Sequence, residues 1–158
     1  MYHMNSALKP QGCTNLKLRQ LTRLATRHYD QYVAATGLKN TQYALLSHVV
    51  GLGPIEPGEL ARRMQMDAST LTRNLQPLSA QGLLEVRAGK DARSRLVEAT
   101  DAGRAKKIEA QRGWKAAQLA LNERLGADRV VALHELLDFC IGCLDESVDQ
   151  AVAADQPG

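Results

Sequence analysis

The chain has 158 residues, 44% of them hydrophobic and 23% charged, which suits one compact domain or one module with helical extensions. No run approaches the roughly 18 apolar residues of a membrane span, and the first six residues lack the basic and then apolar regions of a signal peptide, so a cytoplasmic protein is expected. Three cysteines are too few for a disulfide framework and point to a reducing compartment. The net charge of +3 conceals an uneven distribution: residues 62–107 hold ten Lys/Arg against five Asp/Glu, whereas residues 126–158 hold one against seven. A basic middle suits a polyanionic partner, and an acidic end does not.

In chain order, the first twelve residues, with Pro10 and Gly12, read as a loose arm. A helix is expected from Thr14, as cap, to about Ala35, with Leu18, Leu21, Ala25, His28 and Tyr32 near one face and Gly37 as its stop. Thr41 can cap a second helix with a stripe of Leu45, Leu46, Val49 and Val50, broken by Gly51, Gly53 and Pro54. A short third helix has Pro57 near its start and turns Leu60, Ala61 and Met64 inward. Asp67 or Ser69 caps a fourth, in which Leu71, Leu75 and Leu78 form one buried line and Gly82 ends the element. Residues 83–88 and 94–99 read as two strands of a hairpin with a charged tip. A long helix from Thr100-Asp101 to about Leu125, interrupted by Gly113, precedes a last one from Asp128 to about Val152. That last helix keeps Val130, Leu133, Leu137, Cys140, Ile141, Leu144 and Val148 at helical spacing. The fold class is mainly α with a small β-hairpin wing.

Two short helices followed by a two-stranded ribbon form a winged helix-turn-helix pattern, whose second helix buries one face and offers the other to the major groove. Residues 67–81 fit: behind the leucine line lie Ser69, Thr70, Thr72, Arg73 and Gln76, whose hydroxyl, amide and guanidinium groups suit phosphates and base edges. The hairpin adds Arg87, Lys90, Arg93 and Arg95 with a single carboxylate, Asp91, a basic ribbon of the kind that enters a narrow minor groove. Asp91 is placed to hold the Arg93 guanidinium. Pro77, inside the reading helix, removes a backbone donor and tends to kink the axis beyond Gln76.

The run Leu60-Ala61, Asp67-Ala68-Ser69-Thr70-Leu71-Thr72-Arg73, Leu78, Gly82-Leu83-Leu84 and Asp91-Ala92-Arg93, with Val97, Thr100 and Gly103 after it and residues 41–46 before it, resembles the MarR family over about residues 14–150. The resemblance implies a homodimer of one domain, 1–158. In it a winged helix-turn-helix lobe at 38–100 is carried by dimerisation helices at 14–36 and 101–152. It further implies two recognition helices in successive major grooves of a pseudo-palindromic double-stranded DNA operator, Arg93 as wing arginine with Asp91 as its orienting partner, and Ser69, Thr70, Thr72 and Arg73 as recognition positions. A repressor released by a small phenolic or other apolar ligand is the expected function. The dimer also follows from the last helix, whose apolar face is too long for one small domain to cover.

The alternative is a thiol-based redox sensor or small redox protein using Cys13, whose helix-start position next to Lys17 favours thiolate. In the family's peroxide-sensing branch the cysteine of this helix lies about two residues later relative to Gly37. A third reading is a winged-helix module for protein contacts without DNA. Cys140 and Cys143 share a helix face and read as small core residues. His3, His28, His48 and His134 are scattered, so no metal or other cofactor is expected. No phosphate loop, nucleophile elbow or acid–base pair suggests an enzyme.

Overall fold

The computed structural model describes residues 10–146. Its elements are α1 (Thr14–Val33), a single 3-10 turn (Ala34–Thr36), α2 (Asn40–Leu52), α3 (Pro57–Arg63), α4 (Ala68–Ala80), β1 (Leu84–Ala88), β2 (Arg95–Ala99), α5 (Asp101–Leu125) and α6 (Ala127–Leu144). The chain falls into two compact units that meet at Ala117 and Gln118, inside α5.

In the first unit the core is aliphatic because the sequence has few aromatics to offer. Leu45, Leu46 and Val49 of α2, Leu60 of α3, Leu71 and Leu78 of α4, and Val97 of β2 are all essentially inaccessible. The i, i+4, i+7 spacing of Leu71, Leu75 and Leu78 puts all three on the buried side of α4, as expected. The helix runs unbroken through Pro77 to Ala80. The strands pair antiparallel with Val86 opposite Val97 and Ala88 opposite Arg95, and Ile55 adds a bridge to Val97 through two backbone hydrogen bonds of 3.1 and 2.8 Å. Gly37, at φ +80°, takes the left-handed geometry that ends the 3-10 turn.

Four local expectations are corrected. Helix α2 starts at Asn40 rather than behind a Thr41 cap, because a carboxylate from α1 satisfies its first amide: Asn40 N–H donates to Asp30 Oδ1 at 2.7 Å. The Gln42 side chain turns back to accept from Lys39 N–H at 2.9 Å. Gly51 lies inside α2, and the break comes at the cis Gly53–Pro54 bond. Gly113 does not interrupt α5. It lies where the helix meets the α1 backbone, and a Cβ there would overlap the Tyr32 carbonyl oxygen and stand 3.0 Å from its carbon. At the same junction His28 Nε2–H donates to Ala117 O at 2.8 Å. Cys13 rather than Thr14 occupies the cap position of α1.

The second unit holds the end of α5, a turn at Gly126 (φ +89°) and α6. Val130 is buried and Leu133 and Leu137 are half-buried, but Cys140, Ile141 and Leu144 are exposed. Cys140 and Cys143 are therefore not core residues, since the apolar spacing of α6 outruns what the protomer covers. Val148, Val152 and His3 lie outside the described residues. Among the described residues no helix is long and apolar enough to cross a membrane.

Candidate nucleic-acid interface

The start of α4 is built around Asp67. Its Oδ1 accepts Thr70 N–H at 2.7 Å and the Ser69 hydroxyl at 2.8 Å, and its Oδ2 accepts the Thr70 hydroxyl at 3.0 Å. These bonds, the backbone one foremost, hold the Asp67 carboxyl below its ordinary range, so it stays ionised as a helix cap. Of the two candidate caps, Asp67 is the one used. The Thr72 hydroxyl donates to Ala68 O at 2.9 Å. Thus Ser69, Thr70 and Thr72, expected to offer their hydroxyls outward, each spend the hydroxyl proton inside the helix and leave lone pairs outward, as acceptors.

Arg73 and Gln76 differ from these three. Both are exposed, and neither side chain makes a hydrogen bond or ion pair among the described residues. Asn74, next to Arg73 and also exposed, is a polar position that the sequence reading passes over. Its amide reaches only the Met66 sulfur, at 3.8 Å. Its position explains the omission: three residues after Leu71 and four before Leu78, it flanks the leucine line, whereas Arg73 lies opposite it.

The second cluster is the hairpin tip. Gly89 N–H donates to Ser94 O at 2.8 Å and extends the ladder past the strands. Asp91 Oδ1 accepts the backbone N–H of Arg93 at 2.9 Å and of Ser94 at 2.8 Å, and these bonds keep its carboxyl below the ordinary range. Asp91 was expected to orient Arg93 through the guanidinium. It fixes the backbone instead, closing the tip as an Asx-type turn. The reason is reach, because a short Asp side chain meets amides two and three residues on before it meets the end of a long one. The Arg93 guanidinium, like the heads of Lys90 and Arg95, has no ion pair among the described residues. Arg87 differs, since its Nε pairs with Glu98 Oε2 on the neighbouring strand at 3.2 Å, which leaves three unpaired cations on the hairpin rather than four.

The first helix of the pair carries charge of its own. Glu59 binds Arg62 through two hydrogen bonds of 2.9 and 2.7 Å and Arg63 through one of 2.9 Å, which lowers its carboxyl to about 2. The turn before α4 and the link from α4 to β1 are tied to the helices by Met66 N–H to Ala61 O at 2.9 Å and Leu83 N–H to Leu78 O at 3.0 Å. The polar face of α4 and the cationic hairpin are thus carried on one packed unit. Cys13, exposed at the start of α1, stands on a different helix from all of these groups.

Residues 36–94 match the model of the MarR family, the segment that runs from the end of the 3-10 turn through the hairpin tip. A curated relative, an uncharacterized HTH-type transcriptional regulator, YwoH, of Bacillus subtilis (strain 168), is 27% identical over 84 residues; the match takes in 53% of this chain and 61% of that one, less than two thirds of its length. Among solved structures, the M. tuberculosis transcriptional regulator MosR in complex with DNA is 30% identical, with 82% of this chain and 98% of that one aligned and a TM-score of 0.68. A mutant of E. coli MarR complexed with operator DNA shares the fold at a TM-score of 0.74 and 24% identity, over 80% of this chain and 92% of that one. With the winged helix-turn-helix in place and nearly the whole length of a 30% identical relative covered, the chain is a member of the MarR family of transcriptional regulators.

Proposed function

We propose that the chain is a sequence-specific DNA-binding repressor that acts as a homodimer on a pseudo-palindromic operator in the cytoplasm. The observation that carries this reading is the pairing, on one packed unit, of a capped helix offering Arg73 and Gln76 with a hairpin whose Lys90, Arg93 and Arg95 lack ion-pair partners among the described residues. In this reading α4 lies in the major groove. Arg73 and Gln76 contact base edges, and Ser69, Thr70 and Thr72 accept hydrogen bonds there. Arg93 enters the minor groove, with Lys90 and Arg95 on flanking phosphates. Asp91 contributes order: a tip already closed loses less freedom on binding. Arg87, held by Glu98, steadies the ribbon. The DNA bound by MosR and the operator bound by E. coli MarR are in keeping with this.

A homodimer is supported by apolar surface left uncovered on each terminal helix: Leu16, Leu18, Leu21 and Leu24 on α1, and Leu136, Phe139 and Leu144 on α6. Residues 38–100 form the DNA lobe in this account, with 14–36 and 101–152 as dimerisation helices. Release by a small phenolic or apolar ligand is supported by aromatic groups gathered at α1, α2 and α5. His28 lies 5.2 Å from Tyr32, and Tyr43 lies 6.3 Å from Trp114, measured between ring centroids. Selection of duplexes from a random pool by the full chain tests the reading. Enrichment of a two-fold symmetric site with half-sites about 34 Å apart, one helical turn, is expected. A pool that stays random after repeated rounds contradicts it.

A further inference from the structure

The hydrogen bonds at the start of α4 each have a direction, and the directions bear on what the helix can recognise. Ser69 and Thr72 are exposed on its polar side, one helical turn apart, while Thr70 is half-buried. The Ser69 hydroxyl donates to Asp67 Oδ1 at 2.8 Å, and the Thr72 hydroxyl donates to Ala68 O at 2.9 Å. A hydroxyl in general gives or takes a hydrogen bond as its neighbour requires. Here the neighbours leave no choice. Asp67 is held ionised and has no proton to return, and a backbone carbonyl never has one. Each hydroxyl therefore turns its proton into the helix and its lone pairs outward.

Redirecting the proton would break a charge-assisted bond at Ser69 and, at Thr72, the i−4 bond that fixes the rotamer. A pair of groups that only accept is restricted in what it can meet on DNA. Phosphate oxygens also only accept, so they take nothing from these hydroxyls, and the Asp67 charge repels them. On the major-groove edges the donors are the amino groups of adenine and cytosine, whereas guanine and thymine present oxygens. Serine and threonine ordinarily suit either kind of edge. The restriction here comes from Asp67 and Ala68, not from the residue types.

We propose that Ser69 and Thr72 are specificity residues for amino-bearing bases, selecting adenine or cytosine against guanine or thymine at two positions of each half-site. This rests on the DNA-binding function proposed above and deepens it. Every base pair has one such amino group, so the preference fixes which strand carries it. Residues at i and i+3 keep their Cβ atoms about 5–6 Å apart, one to two base steps of about 3.4 Å, so the two positions are adjacent or one pair apart. Arg73, which only donates, sets the opposite demand and suits guanine.

The test selects duplexes from a random pool with the full chain, then replaces single bases in the selected site. Purine in place of adenine, or pyrimidinone in place of cytosine, removes the amino group alone. At two positions this should weaken wild-type binding about fivefold for each half-site, the size of one neutral hydrogen bond. Ser69→Ala should be indifferent to the replacement at one of those positions and Thr72→Val at the other, each still responding at its neighbour's. The comparison of variants cancels any effect of the analogue on the duplex itself. Both variants should keep wild-type circular dichroism and wild-type affinity for random duplex at low salt. A pool that enriches no site removes the proposal together with the function it rests on. A symmetric site in which no amino group matters to wild type, or in which both variants respond everywhere as wild type does, overturns the proposal alone.

Discussion

Gly103→Ala sets two physical effects against each other, with opposite signs. Glycine inside a helix costs about 1 kcal/mol relative to alanine, so propensity alone predicts that the substitution stabilises α5. The structure predicts the reverse. A Cβ at position 103 would overlap the Leu83 carbonyl oxygen and stand 3.0 Å from its carbon, where carbon pairs prefer about 3.5–4.0 Å. Both groups are backbone, so relief requires α5 and the start of β1 to separate by on the order of 1 Å. Overpacking of this kind costs about 1–3 kcal/mol. The same Leu83 carbonyl accepts Thr100 N–H at 3.1 Å, and weakening that bond adds about 1 kcal/mol. The net expectation is a loss of about 2 kcal/mol. Urea denaturation at fixed protein concentration reads this as a midpoint lowered by about 1 M, for a slope near 2 kcal/mol/M. Gly51→Ala in α2 is the control, because nothing lies within 4 Å of a Cβ there and the propensity gain of up to about 1 kcal/mol should appear. A Gly103→Ala protein as stable as wild type, beside a stabilised Gly51→Ala, would refute the close approach of α5 to Leu83.

Other substitutions probe the core, the hairpin tip and the α3 cluster. Leu71→Ala removes a fully buried side chain of α4 and should cost about 3 kcal/mol by the same denaturation measurement. Asp91→Asn keeps an oxygen for the Arg93 and Ser94 amides, whereas Asp91→Ala does not. Hydrogen exchange at those two amides should therefore be near wild type in the first and faster in the second, and equal exchange in both would contradict the turn. Because Glu59 titrates at about 2 when folded, down from its ordinary 4.5, its contribution is complete above pH 4.5 and disappears as pH falls toward 2. Glu59→Gln should therefore show a smaller acid-side loss of stability over that window, in melts taken from pH 6 down to 2.

Much of the DNA-reading lobe is legible in the sequence because its signals are local. Leu71, Leu75 and Leu78 announce a helix face by spacing alone, Asp67 caps within three residues, and the strands lie within one residue of their expected bounds. What escapes depends on partners distant in sequence. The start of α2 moves because Asp30 of α1 reaches Asn40, and no periodicity reveals that carboxylate. Gly113 resembles a break until the α1 backbone is seen against it. Cys140 and Cys143 fit a core pattern, but spacing says only that a face is apolar, not what covers it. In the candidate site the sequence identifies the cations, and the structure separates Arg87, paired with Glu98, from the unpaired Lys90, Arg93 and Arg95.

The most direct measurement of the central claim is the salt dependence of affinity for the selected duplex, in wild type and Arg93→Ala. A protein that neutralises phosphates loses affinity as a power of salt concentration, with about 0.9 in slope for each contact. Wild type should show a steep log–log slope. Removing one minor-groove or phosphate contact per protomer should flatten it by about 2 for a dimer and weaken binding at every salt concentration. A shallow wild-type slope, or a slope and affinity unchanged in Arg93→Ala, would contradict the account.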